Sequence, residues 1–273
     1  MADRRTLPCA LAIGGLDPGG GAGLAADLRA FAAAGAFGCA AAAVLTVQST
    51  AGLRSVRPLA AREVLAQARE VLDVQRVRAL KTGALGSAAN VRAVGDLLAQ
   101  HASIPAVVDP VMSPTRGEGR LLVAGALAAM RASLVPRAAL VTANAPEAEA
   151  LTGAPVESVD DAREAARALC RMGARAALIK AGHMRGAEAV DVLALASGTI
   201  VLLAAPRLRL APLHGGGCTL ASLIAGRLAC DVRRSARSLD ARVIDAVRWA
   251  KRVHHAALRD ARDVGGAMRV LVP

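Results

Sequence analysis

The chain has 273 residues, 54% of them hydrophobic, enough for the core of one α/β domain spanning residues 1–273. A formal net charge of +12 invites a nucleic-acid reading, but the arginines are interspersed with Asp and Glu and the only aromatics are Phe31, Phe37 and Trp249. Base-stacking platforms are thereby excluded, and the surplus charge suits anionic small molecules instead.

No apolar run nears the roughly 20 residues that cross a bilayer. Met1–Pro8 is polar with no signal-peptide core, and the five scattered cysteines (Cys9, Cys39, Cys170, Cys218, Cys230) read as free thiols. A cytoplasmic protein with no membrane or nucleic-acid partner is expected.

Cys9–Ile13 predicts a first buried strand, and Gly23–Ala34 a first helix. Between them Gly14-Gly15-Leu16-Asp17-Pro18-Gly19-Gly20-Gly21-Ala22 lets the backbone approach a ligand closely, or serves as a plain strand-to-helix turn. It is no dinucleotide fingerprint, because the acidic residue expected about 20 positions later is missing, and no Walker A loop, because no Lys-Ser/Thr follows. Ala40–Leu45 predicts a strand, Ala61–Leu72 a helix, Val77–Leu80 a strand and Ala88–Gln100 a helix. Ala106–Val108 is the next strand, and Asp109 directly after it needs a metal or hydrogen-bond donors if buried, or else caps the loop. Leu122–Leu134 predicts a helix and Ala138–Val141 a strand.

Asn144 then suits an N-cap and Pro146 a first helical turn, where Glu147 complements the dipole or holds a hydrated Mg2+. Asp160–Met172 predicts a helix and Ala176–Ile179 a strand. Lys180, at that strand's end, reaches a phosphate or is a surface lysine, and His183 is a structural hydrogen-bonder in its plainest reading. Val190–Ala196 and Thr199–Ala204 predict an antiparallel edge hairpin across Ser197-Gly198. Thr219–Ala229 and Leu239–Arg259 are the closing helices.

The alternation predicts a parallel sheet covered on both faces, with the polar clusters gathered beyond the carboxyl ends of its strands. The glycine run His214-Gly215-Gly216-Gly217-Cys218 precedes a helix, so its backbone N–H groups and the helix dipole offer an anion site. The same field is expected to favour a Cys218 thiolate.

Taken in order, "GGLDPGGGAGLAADLRAFAAAGAFGC", "LTVQSTAG", "LKTGALGS", "VVDPVM", "TANAPEAEALTG", "IKAGH" and "HGGGCT" resemble the hydroxymethylpyrimidine/phosphomethylpyrimidine kinases of thiamine biosynthesis, within the ribokinase superfamily. The resemblance implies an α/β, three-layer α/β/α ribokinase-like fold with a mainly parallel central sheet and an antiparallel edge hairpin. It implies ATP and Mg2+ as donor and cofactor, a small-molecule pyrimidine as acceptor, and a homodimer. By that likeness Gly15, Ala22, Asp27, Gln48, Ala84 and Val111 line the pyrimidine pocket, with Asp27 and Gln48 hydrogen-bonding the aminopyrimidine edge. Asp109, Asn144 and Glu147 organise Mg2+ and water, and Lys180 neutralises phosphate charge. His214, Gly215, Gly216, Gly217 and Cys218 form the anion hole, with Cys218 as proton acceptor.

Against the family pattern, Gly216 stands for a threonine, Ala84 for a methionine, Thr82 for an apolar residue and Ala181 for a glycine. Arg116 is the available cation in a flap that usually carries lysine, and Leu210–Leu213 replaces a polar stretch. A pyridoxal or pyridoxine kinase and a diverged pyrimidine-binding paralogue are the competing readings.

Overall fold

The computed structural model describes residues 6–113, 125–180, 188–208, 213–231 and 236–273. Arg116, Ala181, His183 and residues 210–212 lie outside them.

Nine strands form one sheet in the order β3-β2-β1-β4-β5-β6-β7-β8-β9. Its parallel body comprises β1 (Cys9–Leu16), β2 (Phe37–Ser49), β4 (Val77–Thr82), β5 (Ala106–Val108), β6 (Leu140–Asn144) and β7 (Ala176–Lys180). The hairpin predicted at one edge is β8 (Glu188–Leu195) and β9 (Ile200–Pro206), antiparallel to each other and to β7. The opposite edge is antiparallel too: β3 (Gly52–Pro58) folds back on β2. That pairing carries β2 through Thr46–Ser49, four polar or half-exposed positions with no apolar run to announce a strand.

Two hydrophobic layers sandwich the sheet. Val64 and Ala68 of α2 (Ala61–Val74), Val91, Val94 and Leu97 of α3 (Ala88–Gln100), Leu151 of α5 (Ala145–Thr152) and Leu169 of α6 (Val159–Arg171) pack on one face. Phe31 of α1 (Gly23–Ala33), Leu223 and Leu228 of α7 (Gly216–Cys230) and Val243 and Val247 of α8 (Leu239–Arg259) pack on the other. A fully buried Leu or Phe contributes roughly 1.5–3 kcal/mol relative to exposure, so the layers hold the sheet and leave its carboxyl edge free for chemistry.

The helix predicted over Leu122–Leu134 is described from Gly125 onward. It is a short α4 (Ala126–Ala129) that widens into a π turn at Met130–Leu134 and closes as a 3-10 turn at Val135–Arg137. Two-residue strands β10 (Leu213–His214) and β11 (Arg269–Val270) pair in parallel and bring the C-terminal segment beside the start of α7.

The strand order reverses between β1 and β4, since β2 lies on one side of β1 and β4 on the other. Loops leaving neighbouring strands in opposite directions open a crevice at such a switch point.

Candidate active site

A cavity of about 810 Å³ opens at that switch point. One side is lined by Gly15, Ala22, Asp27, Gln48, Ala84 and Val111. The other is lined by Asp109, Asn144, Glu147, Lys180 and the run His214–Cys218. The pyrimidine-pocket, metal and anion-hole candidates named in the sequence therefore meet one space.

The two glycine runs are pressed together. Gly215, the N-cap of α7, has φ +79, and a Cβ there would overlap the Gly21 carbonyl oxygen. A Cβ on Gly21 would in turn overlap the His214 ring. Asp17 pins the contact: its carboxylate accepts from Gly19 N–H at 2.8 Å and Ala22 N–H at 2.8 Å, and lies 2.8 Å from His214 Nε2. Burial works against that charge, but the His214 bond and the two N–H donors outweigh it and hold the Asp17 carboxyl below its usual range. The Gln48 amide nitrogen is 3.1 Å from the same ring nitrogen. Both contacts fall on His214 Nε2, while its Nδ1 is buried without a hydrogen-bond partner.

Helix α7 begins at Gly216, three residues earlier than predicted, so Gly216, Gly217 and Cys218 form its first turn rather than a loop. The N–H groups of a first turn have no intrahelical partners. No side chain caps this end, and Thr219 N–H and Oγ1 both close back on the Gly215 carbonyl, at 3.0 and 2.9 Å. The anion site expected from the glycines is a helix N-terminus.

Asp27 corrects the sequence reading. Its oxygens lie 2.9 and 3.0 Å from the Lys81 ammonium and 2.7 Å from Ser222 Oγ. Lys81 and Asp27 side chains are each 1% exposed. Burial, the largest influence, leaves the Asp27 carboxyl above its usual range despite Lys81 and Ser222, whereas for the Lys81 ammonium the charge and hydrogen bond of Asp27 help to outweigh burial and raise it. Asp27 therefore supports the cavity floor with most of its acceptor capacity spent, instead of standing ready for an aminopyrimidine edge. Lys81 was not singled out in the sequence. A lysine inside the apolar run Val77–Thr82 was the signal, because such a residue must find a buried counter-charge.

Cys218 also differs from expectation. Burial is the largest influence on the thiol, Asp109 and Asp27 add to it, and Lys81 only partly opposes them, so it is pushed up to about 12. The helix start does not hold a thiolate at neutral pH.

On the phosphate side, Lys180 Nζ sits 3.5 Å from Asp109 Oδ1 and 3.7 Å from Glu147 Oε2. A Cβ on Gly217 would lie 3.3 Å from that ammonium, so lysine and helix start face one spot. Burial, the largest influence, and Asp109 push Glu147 up to about 6 despite Lys180. Asn144 caps α5: its Oδ1 accepts from Glu147 N–H at 2.8 Å while Glu147 Oε2 accepts from Asn144 N–H at 2.8 Å. Asn144, which the resemblance groups with Asp109 and Glu147 around Mg2+ and water, serves here as the N-cap that its residue type suggested.

The residues fit Mg2+ in a limited way. Asp109 Oδ2 is buried without a hydrogen-bond partner, an acceptor left over for a cation or its water. Among the described residues no group of three or more metal-ligating side chains exists. Such a site suits Mg2+, which keeps waters and takes one or two carboxylates plus substrate phosphates.

Ala84 and Leu53 form a small apolar patch with Val56 and Val111 against the acceptor side. Among the described residues no helix is long and apolar enough to cross a membrane.

A cavity at the switch point, a helix start without a side-chain cap, a lysine and two carboxylates make a site suited to phosphoryl transfer on an α/β sheet. The chain belongs to the phosphomethylpyrimidine kinase family, whose model matches residues 17–271. It is 43% identical over 224 residues to the hydroxymethylpyrimidine/phosphomethylpyrimidine kinase of Streptomyces coelicolor, covering 82% of each chain. Among solved structures it resembles an ADP complex of Bacillus subtilis pyridoxal kinase, with TM-score 0.85, 28% identity and 97% of both chains covered. It also resembles phosphomethylpyrimidine kinase from Clostridium difficile, with TM-score 0.73, 30% identity, and 89% of this chain and 98% of that one covered.

Proposed function

We propose that this protein transfers the γ-phosphate of ATP to the hydroxymethyl group of 4-amino-5-hydroxymethyl-2-methylpyrimidine, and then phosphorylates the monophosphate, in thiamine biosynthesis. The observation that carries this reading is the first turn of α7, which presents backbone donors beside Lys180 and across one cavity from the Gly15 and Gln48 side. The family and the kinase relatives support the acceptor. A homodimer and a cytoplasmic location belong to the same proposal and rest on the likeness to the family.

The chain's contribution is positioning and charge. Phosphoryl transfer passes through a loose transition state, so donors aimed at the transferring group matter most. Gly216, Gly217 and Cys218 supply N–H groups, and Lys180 supplies a fixed positive charge. Asp109, with one free buried oxygen, and Glu147 would hold Mg2+ through water. Mg2+ when bound neutralises phosphate charge. Gln48 and the glycine loop orient the acceptor hydroxyl, and Cys218, in the fraction that is thiolate, accepts the hydroxyl proton to become the thiol.

Phosphorylation of a vitamin B6 alcohol is the second reading, favoured by the fold's likeness to pyridoxal kinase and by the small side chain at Ala84. The test is mass spectrometry of wild-type reactions containing ATP, Mg2+ and either hydroxymethylpyrimidine or its monophosphate. The expected products are the monophosphate and the diphosphate; no product from either acceptor overturns the proposal.

A further inference from the structure

We infer that His254 is a positioning residue that sets the anion-binding turn by holding the Gly216 carbonyl. The inference rests on the reading of the α7 start as the phosphate site. His254 lies on α8, is buried, and its Nε2 is 2.9 Å from Gly216 O. A carbonyl only accepts, so Nε2 carries the proton and the imidazole donates. Burial, the largest influence, and the Lys251 charge push His254 down to about 4, which keeps the ring neutral at working pH.

The peptide between Gly216 and Gly217 is a rigid plane. Fixing the Gly216 oxygen on one side therefore fixes where the Gly217 N–H points on the other. That N–H belongs to the residue at which an added Cβ would lie 3.3 Å from Lys180 Nζ. The turn needs such a hold for two reasons: its first two residues are glycines, which lose more freedom on ordering than any other residue, and no side chain caps it. A threonine would bring its own side chain, and a Cβ at Gly216 would meet only His254 Nε2, at 3.9 Å. The imidazole thus occupies the place from which a side chain at position 216 would be supported. One helical turn before His254, Lys251 Nζ binds the buried Asp191 of β8 at 2.6 Å. The face of α8 that carries the imidazole is accordingly anchored to the sheet.

The test compares His254→Phe, which fills the space without a donor, with His254→Gln, whose amide nitrogen reaches the Nε2 position. For His254→Phe kcat is expected to fall about tenfold with the acceptor KM within about twofold, while His254→Gln stays within about threefold of wild type. An unchanged kcat in His254→Phe, or an equal loss in both variants, overturns the inference. If the Phe variant does not fold, His254→Met takes its place beside His254→Gln, since the two have similar length with and without a donor. A second readout needs no turnover: the Gly217 amide resonance of 15N-glycine-labelled protein is expected to move in the donor-less variant and hold in His254→Gln. An unmoved resonance in both contradicts the inference. Failure of wild-type turnover refutes the proposed function instead, and the resonance still decides the role of His254.

Discussion

Replacing Asp27 by Ala is expected to lower stability by about 3–5 kcal/mol, because it strands a buried ammonium. Lys81 is 1% exposed and its charge has Asp27 as counter-ion at 2.9 Å. In a thermal melt the loss corresponds to roughly 10 °C in Tm. The sign with pH follows from linkage. Without Asp27 the buried Lys81 titrates below its unfolded value, so the unfolded state binds the proton better. The variant should gain stability as pH rises from neutrality toward about 10. Removing both charges with Asp27→Leu and Lys81→Met is expected to recover most of the loss, since a well-packed apolar pair often equals a buried ion pair. Equal destabilisation of the single and double variants would show that something other than the stranded charge is responsible.

Replacing Cys218 by Ala is expected to cut kcat by about 100-fold or more, with ATP affinity within about twofold. The first-turn N–H groups survive the substitution, so the anion site stays while the proton's destination is lost. The thiol, pushed up to about 12 by burial, is almost wholly protonated at neutral pH. Each unit of pH above neutrality raises the thiolate fraction tenfold while pH stays well below that value. Wild-type kcat should therefore climb between pH 7 and pH 9, and the Cys218→Ala variant should lose the slope. Steady-state kinetics with calorimetric ATP titration tests both statements, and equal losses in turnover and affinity would sink the proton-acceptor role.

The difference between what the residues announced and what the fold adds lies in range. Apolar runs bounded by polar residues located Ala106–Val108 and Ala88–Gln100 to the residue, because such runs report burial locally. The β2–β3 hairpin was not legible, since Thr46–Ser49 and the arginine-bearing Gly52–Pro58 stretch gain their strand form from each other. Nor was the pairing of β10 with β11, two residues against two that sit 56 positions apart in register.

At the site, the ordered glycine, aspartate and lysine motifs announced which residues would meet, and the cavity gathers them. Their chemical states were beyond local reading. The helix dipole at Cys218 is visible in the glycine run, but the burial that outweighs it is set by the packing around α7, and the carboxylates come from Asp27 of α1 and Asp109 just after β5. Asp27 looked like a recognition group because its partners, Lys81 and Ser222, stand 54 and 195 residues away. His254 had no motif around it, and only the packing of α8 on α7 brings it to Gly216.

The central claim is that this cavity selects the hydroxymethylpyrimidine as phosphoryl acceptor, although its fold resembles pyridoxal kinase as well. The most direct measurement is kcat/KM for hydroxymethylpyrimidine and for pyridoxal, with the same wild-type protein, ATP and Mg2+. A larger value for the pyrimidine is predicted. A larger value for pyridoxal would contradict the account and make the Ala84 side of the cavity the seat of a vitamin B6 kinase.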